Sequence, residues 1–189
     1  MNRQDRRAVS REYFSDERLA EHHFRSFNNF LSRGMQEVVD EKETIETDIG
    51  DKEGQEPVYV ELGDVRMVTP RVREADGSEE LLYPQEARLR NITYSAPVFM
   101  EMSIVRGGED EPEQVVDTTE TKVGRMPVMV GSDKCNMADF SDQELIDIGE
   151  DPVDPGGYFI VNGSERVLMT SEDLAPNKIL AEYDSKYGD

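Results

Sequence analysis

The residues that could do chemistry are few, and most are poorly arranged for it. Asp147, Asp151 and Asp154 suggest a calcium loop, since Ca²⁺ takes oxygen ligands. However, Pro152 and Pro155 interrupt the run, and the spacing does not match a helix–loop–helix site. His22 and His23 are the only histidines. Adjacent helical residues point about 100° apart, so the pair does not ligate one ion easily. One is expected to pack in the core and the other to face water. The single cysteine, Cys135, excludes an internal disulfide and a multi-cysteine zinc or iron–sulfur site. A lone cysteine is usually a small buried hydrophobe. The phosphate-binding pattern G-x-x-x-x-G-K-[ST] and the nucleophile elbow G-x-S-x-G are both absent. Gly107-Gly108 is followed by acids, which repel phosphate. No catalytic residue, metal ligand or cofactor is therefore expected in this chain.

The basic residues are more informative. Arg166 follows closely on an Asn-Gly pair, where a tight turn would hold a guanidinium ready to meet a phosphate through two hydrogen bonds. Arg88 and Arg90 lie two apart at an expected strand start and would share a face.

The elements that must position these groups can be read from period and punctuation. Residues 1–14 are arginine-rich (Arg3, Arg6, Arg7, Arg11) and suit either a first helical turn or a frayed terminus. Ser15 reads as an N-cap, and Leu19, His23, Phe24, Phe27, Phe30 and Leu31 recur at helical spacing. An amphipathic helix is expected over 15–33, stopped by Gly34, with its aromatic stripe in the core. The acid-rich stretch 35–56 is expected to extend a helix near Glu41–Glu46 and to loop from Gly50 to Glu56. Alternation of Val58, Val60 and Leu62 predicts a strand, and Ala75–Ser78 a turn. Tyr83–Ala87 reads as a short connector or helical turn. Asn91–Arg106 is the strongest strand signal, paired across a 107–113 turn with Gln114–Val123. Gly124–Val130 is a compact apolar segment. Ser141 with Glu144 makes a capping box that opens a helix to about Ile148. Tyr158–Val161, Asn162-Gly163 and Arg166–Met169 predict a hairpin with a type I′ turn. Ser171 is expected to cap a last helix or turn. The fold class is α+β: mainly antiparallel strands and hairpins, an N-terminal amphipathic helix and short connector helices.

Charge sets the remaining boundary. Asp and Glu number 42 against 21 Lys and Arg, a net charge of −21 over 189 residues. High net charge at low hydropathy favours disorder, but apolar clusters recur along the whole chain. The acids are spread throughout, with 6 lysines against 15 arginines, which suits a protein working in concentrated salt. At about 1 M salt the Debye length is about 3 Å, so self-repulsion is largely screened. No apolar run is long enough to span a membrane, and the first residues lack the apolar core of a secretory signal, so a cytoplasmic location is expected.

Four stretches in register carry a resemblance: LAEHHFRSFNNFL (19–31), YPQEARLRNITYSAP (83–97), GRMPVMVGSDKC (124–135) and GYFIVNGSERVL (157–168). In this order and spacing the chain resembles the N-terminal part of the second-largest subunit of multisubunit DNA-directed RNA polymerases, nearest the archaeal and eukaryotic branch. With its acidity it resembles the N-terminal half of that subunit in a halophilic archaeon, where the subunit is often split. The resemblance runs from about residue 15 to the end, beyond the basic segment that composition marks over 1–14, and implies a protrusion-like domain over 15–189 that flanks the active-centre cleft. It implies that the lobe and the returning protrusion segment are missing after Asp189. It also implies that catalytic magnesium is held mainly by the largest subunit, so this chain alone has no activity. The implied partners are the other polymerase subunits, including the C-terminal half of this one, and template DNA and nascent RNA in the assembled enzyme. General transcription and elongation factors are admitted as well. Carried over to this sequence, Asn162, Glu165 and Arg166 fall on a hairpin near the RNA–DNA hybrid. The alternative is a freestanding acidic protein-interaction domain without a nucleic-acid role.

Overall fold

A computed structural model describes residues 3–13, 20–42, 44–47, 58–107, 114–169, 171–174 and 176–177. The architecture is α+β, with antiparallel strands throughout. In chain order the elements are α1 (Arg3–Tyr13), α2 (Glu21–Asn29), a π-helical turn (Phe30–Gly34), α3 (Met35–Asp40), β1 (Thr44–Glu46), β2 (Val58–Met67), β3 (Arg71–Arg73) and β4 (Glu79–Leu81). There follow α4 (Pro84–Leu89), β5 (Ser95–Arg106), β6 (Gln114–Pro127), α5 (Asp142–Asp147), β7 (Phe159–Val161) and β8 (Ser164–Arg166).

The expected helix over 15–33 needs correction at its end. Ser15 and the start of that helix lie outside the described residues. Gly34 does not stop the helix: it keeps right-handed helical φ and ψ, and the chain runs on through α3. The Met35 N–H bonds back to the Phe30 carbonyl, which widens one turn. A Cβ on Gly34 would sit 3.0 Å from the Phe30 ring, so glycine here makes room for an aromatic rather than ending the helix. The continuation is favoured because it buries Met35 and Val39. The helical extension expected near Glu41–Glu46 is instead the strand β1, paired with β2. The loop expected at Gly50–Glu56 lies outside the described residues.

Strand β2 pairs β5 across a bulge between Leu62 and Val65. Gln36 of α3 closes that gap: its amide donates to the Gly63 carbonyl (3.3 Å), and its Oε1 accepts from the Val65 N–H (2.9 Å). The sheet order is β1-β2-β5-β6, with β6 exposed along most of its length. The strand expected from Asn91 begins only at Ser95. Asn91 takes a positive φ of 53°, which ends α4 and turns the chain. Arg88 and Arg90 therefore belong to α4 and its C-cap, not to a strand face. The long-hairpin reading stands for β5 and β6; the turn between them is described only at Gly107. The Ser141–Glu144 capping box is present and opens α5.

The core is built on Leu82, Ala87, Tyr94, Ala96, Val98, Val128, Val130, Cys135 and Ile160, with Phe27 and Leu31 packed against it. Tyr94 stands at its centre. Its N–H donates to the Ile160 carbonyl (3.0 Å), and its carbonyl accepts from Val128 (2.9 Å). Its hydroxyl accepts from the Asn136 N–H (2.9 Å) and lies 3.4 Å from the Cys135 sulfur. Burial, with the neighbouring thiol second, pushes the Tyr94 phenol well above its ordinary value. Tyr158 is also pushed up, first by burial and then by its bond to Asp154. A folded-state pKa above the unfolded value of about 10 contributes stability below pH 10 and loses it as pH rises further. Chemical unfolding followed across pH 9 to 11.5 is therefore expected to show falling stability, each tyrosine adding about 1.4 kcal/mol per pH unit at most. Tyr94→Phe should remove one of these contributions. It should also cost about 1–3 kcal/mol at pH 7, because the Asn136 N–H loses its acceptor.

Candidate functional site

The β7–β8 hairpin is the element that presents the sequence-predicted residues. Asn162 and Gly163 both take positive φ, 50° and 75°, as a two-residue type I′ turn requires. The ladder pairs Phe159 with Arg166, Ile160 with Glu165 and Val161 with Ser164, so the second strand is Ser164–Arg166. The apolar run Val167–Met169, expected to continue it, stands exposed beyond the ladder. Of the helix or turn expected after Ser171, residues 171–174 form neither, and a turn stands at 176–177.

The hairpin is fastened to the α4–β5 connector from both sides of its turn. The Asn162 N–H donates to Thr93 Oγ1 (3.1 Å), and the Gly163 N–H donates to the Ile92 carbonyl (3.0 Å). Glu165 accepts from Arg88 Nε at 2.8 Å. Arg88 Nη1 reaches both oxygens of Glu150 (3.1 and 3.0 Å), and Nη2 donates to the Tyr158 hydroxyl (2.6 Å). The Tyr158 hydroxyl in turn donates to Asp154 Oδ2. Glu150 keeps only 5% of its side-chain surface exposed, so Arg88 neutralises a carboxylate that water cannot reach. Desolvation alone would lower the Arg88 pKa; the bonds to Glu150 and Glu165 and the neighbouring Tyr158 outweigh it, and the net direction is up.

Successive strand residues point to opposite faces. Glu165 therefore turns to Arg88, while Arg166 lines a groove of about 600 Å³ with His22, His23, Phe27, Phe30 and Phe159. Arg166 is exposed and makes no ion pair among the described residues. The histidine rings lie 4.0 Å apart; His22 is exposed and His23 half-buried, so neither sits in the core as expected of one of them. Burial first, and the His22 charge second, lower the His23 pKa. The aspartates weighed for calcium are occupied locally: Asp151 caps the Val153 N–H, Asp154 caps Gly156 and binds Tyr158, and Asp147 accepts from Gln143. Among the described residues no group of His, Cys, Asp and Glu could hold a metal ion. No helix among them is long and apolar enough to cross a membrane.

Arg88 is the functional-looking residue that sequence reasoning misplaced. The signal was present in Pro84-Gln85-Glu86-Ala87, a proline at the first helical turn followed by good helix formers.

Fold and hairpin together define an α+β scaffold domain whose polar side chains fasten one turn and leave one arginine on a groove. The chain belongs to the RNA polymerase beta subunit family, whose model matches residues 18–182. It is 83% identical over 189 residues to the DNA-directed RNA polymerase subunit Rpo2N of Halobacterium salinarum, covering all of this chain and 36% of that one. It is 45% identical over 179 residues to Rpo2N of Methanocaldococcus jannaschii (93% of this chain, 34% of the relative). To subunit Rpo2 of Saccharolobus solfataricus it is 44% identical over 179 residues, 94% of this chain and 15% of the relative. The chain thus spans about a third of the Rpo2N relatives it matches.

Proposed function

We propose that this chain works inside a multisubunit, archaeal-type DNA-directed RNA polymerase. It forms part of the protrusion, the cleft wall that guides template DNA and the RNA–DNA hybrid. One observation carries the reading: Arg166 ends a hairpin strand fastened through Asn162 and Glu165, makes no ion pair among the described residues, and faces a groove. A guanidinium held this way can meet a backbone phosphate without ordering a loop first. Asn162 and Glu165 then serve as the fastening, with Arg166 as the contact. The match of this chain over its whole given length to 36% of the 83% identical Halobacterium relative, named a DNA-directed RNA polymerase subunit, supports placing it in such an enzyme.

In this reading the chain performs no reaction alone and carries no cofactor; magnesium chemistry belongs to the rest of the enzyme, held mainly by the largest subunit. Its partners are the other subunits, including the remainder of this one, template DNA, nascent RNA, and transcription and elongation factors, all in the cytoplasm. The −21 charge suits a salt-rich interior, where counterion release contributes little and DNA is retained by enclosure and a few fixed arginines.

The test is reconstitution. The chain should co-purify with polymerase subunits at native salt. Arg166→Glu should leave assembly intact and reduce transcription at least tenfold; unchanged transcription would take Arg166 off the nucleic-acid path.

A further inference from the structure

Helix α1 separates its charges in a way the other described helices do not. Arg3, Arg6, Arg7 and Arg11 fall within an arc of roughly 140° on a helix with 3.6 residues per turn, while Asp5 and Glu12 fall on the opposite side. All four arginines are exposed. None makes an ion pair among the described residues, whereas Arg25, Arg33, Arg66, Arg88 and Arg90 are each held by a carboxylate. Among the described residues Arg71, Arg73, Arg106, Arg125 and Arg166 also make no ion pair; of these Arg73 lies directly across from Glu79 in the β3–β4 ladder, and Arg125 is hydrogen-bonded to the Arg71 carbonyl. Val9, 58% exposed, sits beside the acidic side of α1, away from the arginines.

The occupant follows from charge. The helix contributes four positive and two negative groups to a chain of −21, so residues outside it carry −23. In dilute buffer, where salt does not screen it, a body that acidic repels a duplex with one negative charge per about 1.7 Å far more than it repels a polypeptide with spaced carboxylates. Arginines at i, i+4 and i+8 rise about 6 Å per step, which matches carboxylates on one face of a helix or on alternate strand positions. We propose that the arginine face of α1 docks on an acid-rich polypeptide surface of another chain. This does not depend on Arg166 and is independent of the nucleic-acid path.

The test uses the purified full chain and fluorescent poly-L-glutamate as the probe, with duplex DNA of equal total charge and sedimentation of the chain alone as parallel arms. Arg3→Glu/Arg7→Glu/Arg11→Glu should weaken poly-L-glutamate binding at least tenfold. A control of equal net charge, Arg71→Glu/Arg73→Glu/Arg106→Glu, should weaken it less than twofold. Circular dichroism of both variants checks that the fold survives. Equal losses in the two variants would reduce the effect to overall charge and overturn the proposal. Absence of poly-L-glutamate binding would overturn it too, as would tighter stripe-dependent binding to duplex DNA, or self-association abolished by the stripe variant.

Discussion

Arg88→Met should lower the unfolding free energy by about 3–5 kcal/mol, because it strips the counter-charge from a buried Glu150 and leaves that carboxylate unpaired. The loss spreads further. Tyr158 loses the donor at 2.6 Å, and Glu165 loses its tie to α4, so the β7–β8 hairpin keeps only its bonds to Ile92 and Thr93 and the buried Phe159 and Ile160. Glu165→Gln is the comparison. The Glu165 side chain is 55% exposed, so breaking that arm alone should cost no more than about 1 kcal/mol. Urea unfolding at fixed, high salt measures both. A second variant separates charge from packing: Arg88→Met with Glu150→Leu removes both partners and should recover a substantial part of the loss. If Arg88→Met proved as mild as Glu165→Gln, the arginine would be a surface residue and the fastening argument would fail.

Gly163→Ala should cost about 2–3 kcal/mol, although it adds one methyl group. The positive φ of 75° disfavours any Cβ, and this Cβ would lie 2.8 Å from Asn91 Cα and 3.1 Å from the Arg88 carbonyl. Both neighbours are backbone and cannot rotate away. The hairpin would have to lift off the α4–β5 connector, lengthening the Gly163–Ile92 bond and moving Arg166 with it. Transcription by the reconstituted enzyme should then fall along with stability. Gly124→Ala provides the contrast: nothing lies within 4 Å of its Cβ, and the change should stay within about 0.5 kcal/mol. Thermal melts of the two variants distinguish a strained turn from a general intolerance of side chains at glycine.

These predictions depend on features of unequal legibility. The type I′ turn at Asn162-Gly163, the capping box at Ser141–Glu144 and the β2, β5 and β6 strands were readable because each rests on a signal a few residues long. Gly34 misled for a specific reason. Glycine after a periodic run usually ends a helix, but here the contact with Phe30 makes a small residue necessary inside one. Arg88 and Arg90 misled because the strand was read as starting four residues early, before the turn at Asn91.

From the residues alone came the α+β class, the tight hairpin, the acidic character and the absence of catalytic motifs; the familiar order of four stretches pointed to the polymerase family. Those follow from local backbone preference, side-chain period and composition, which act over a turn or a strand. Only the folded chain decided that Glu165 serves Arg88 while Arg166 faces the groove. The partners of Arg88 lie 62, 70 and 77 residues away, and nothing in the local sequence specifies such pairings. They form because burying Tyr94, Leu82 and Ile160 brings α4, the 150–158 segment and the hairpin together. A carboxylate trapped by that packing must then find a cation, and Arg88 is the one within reach.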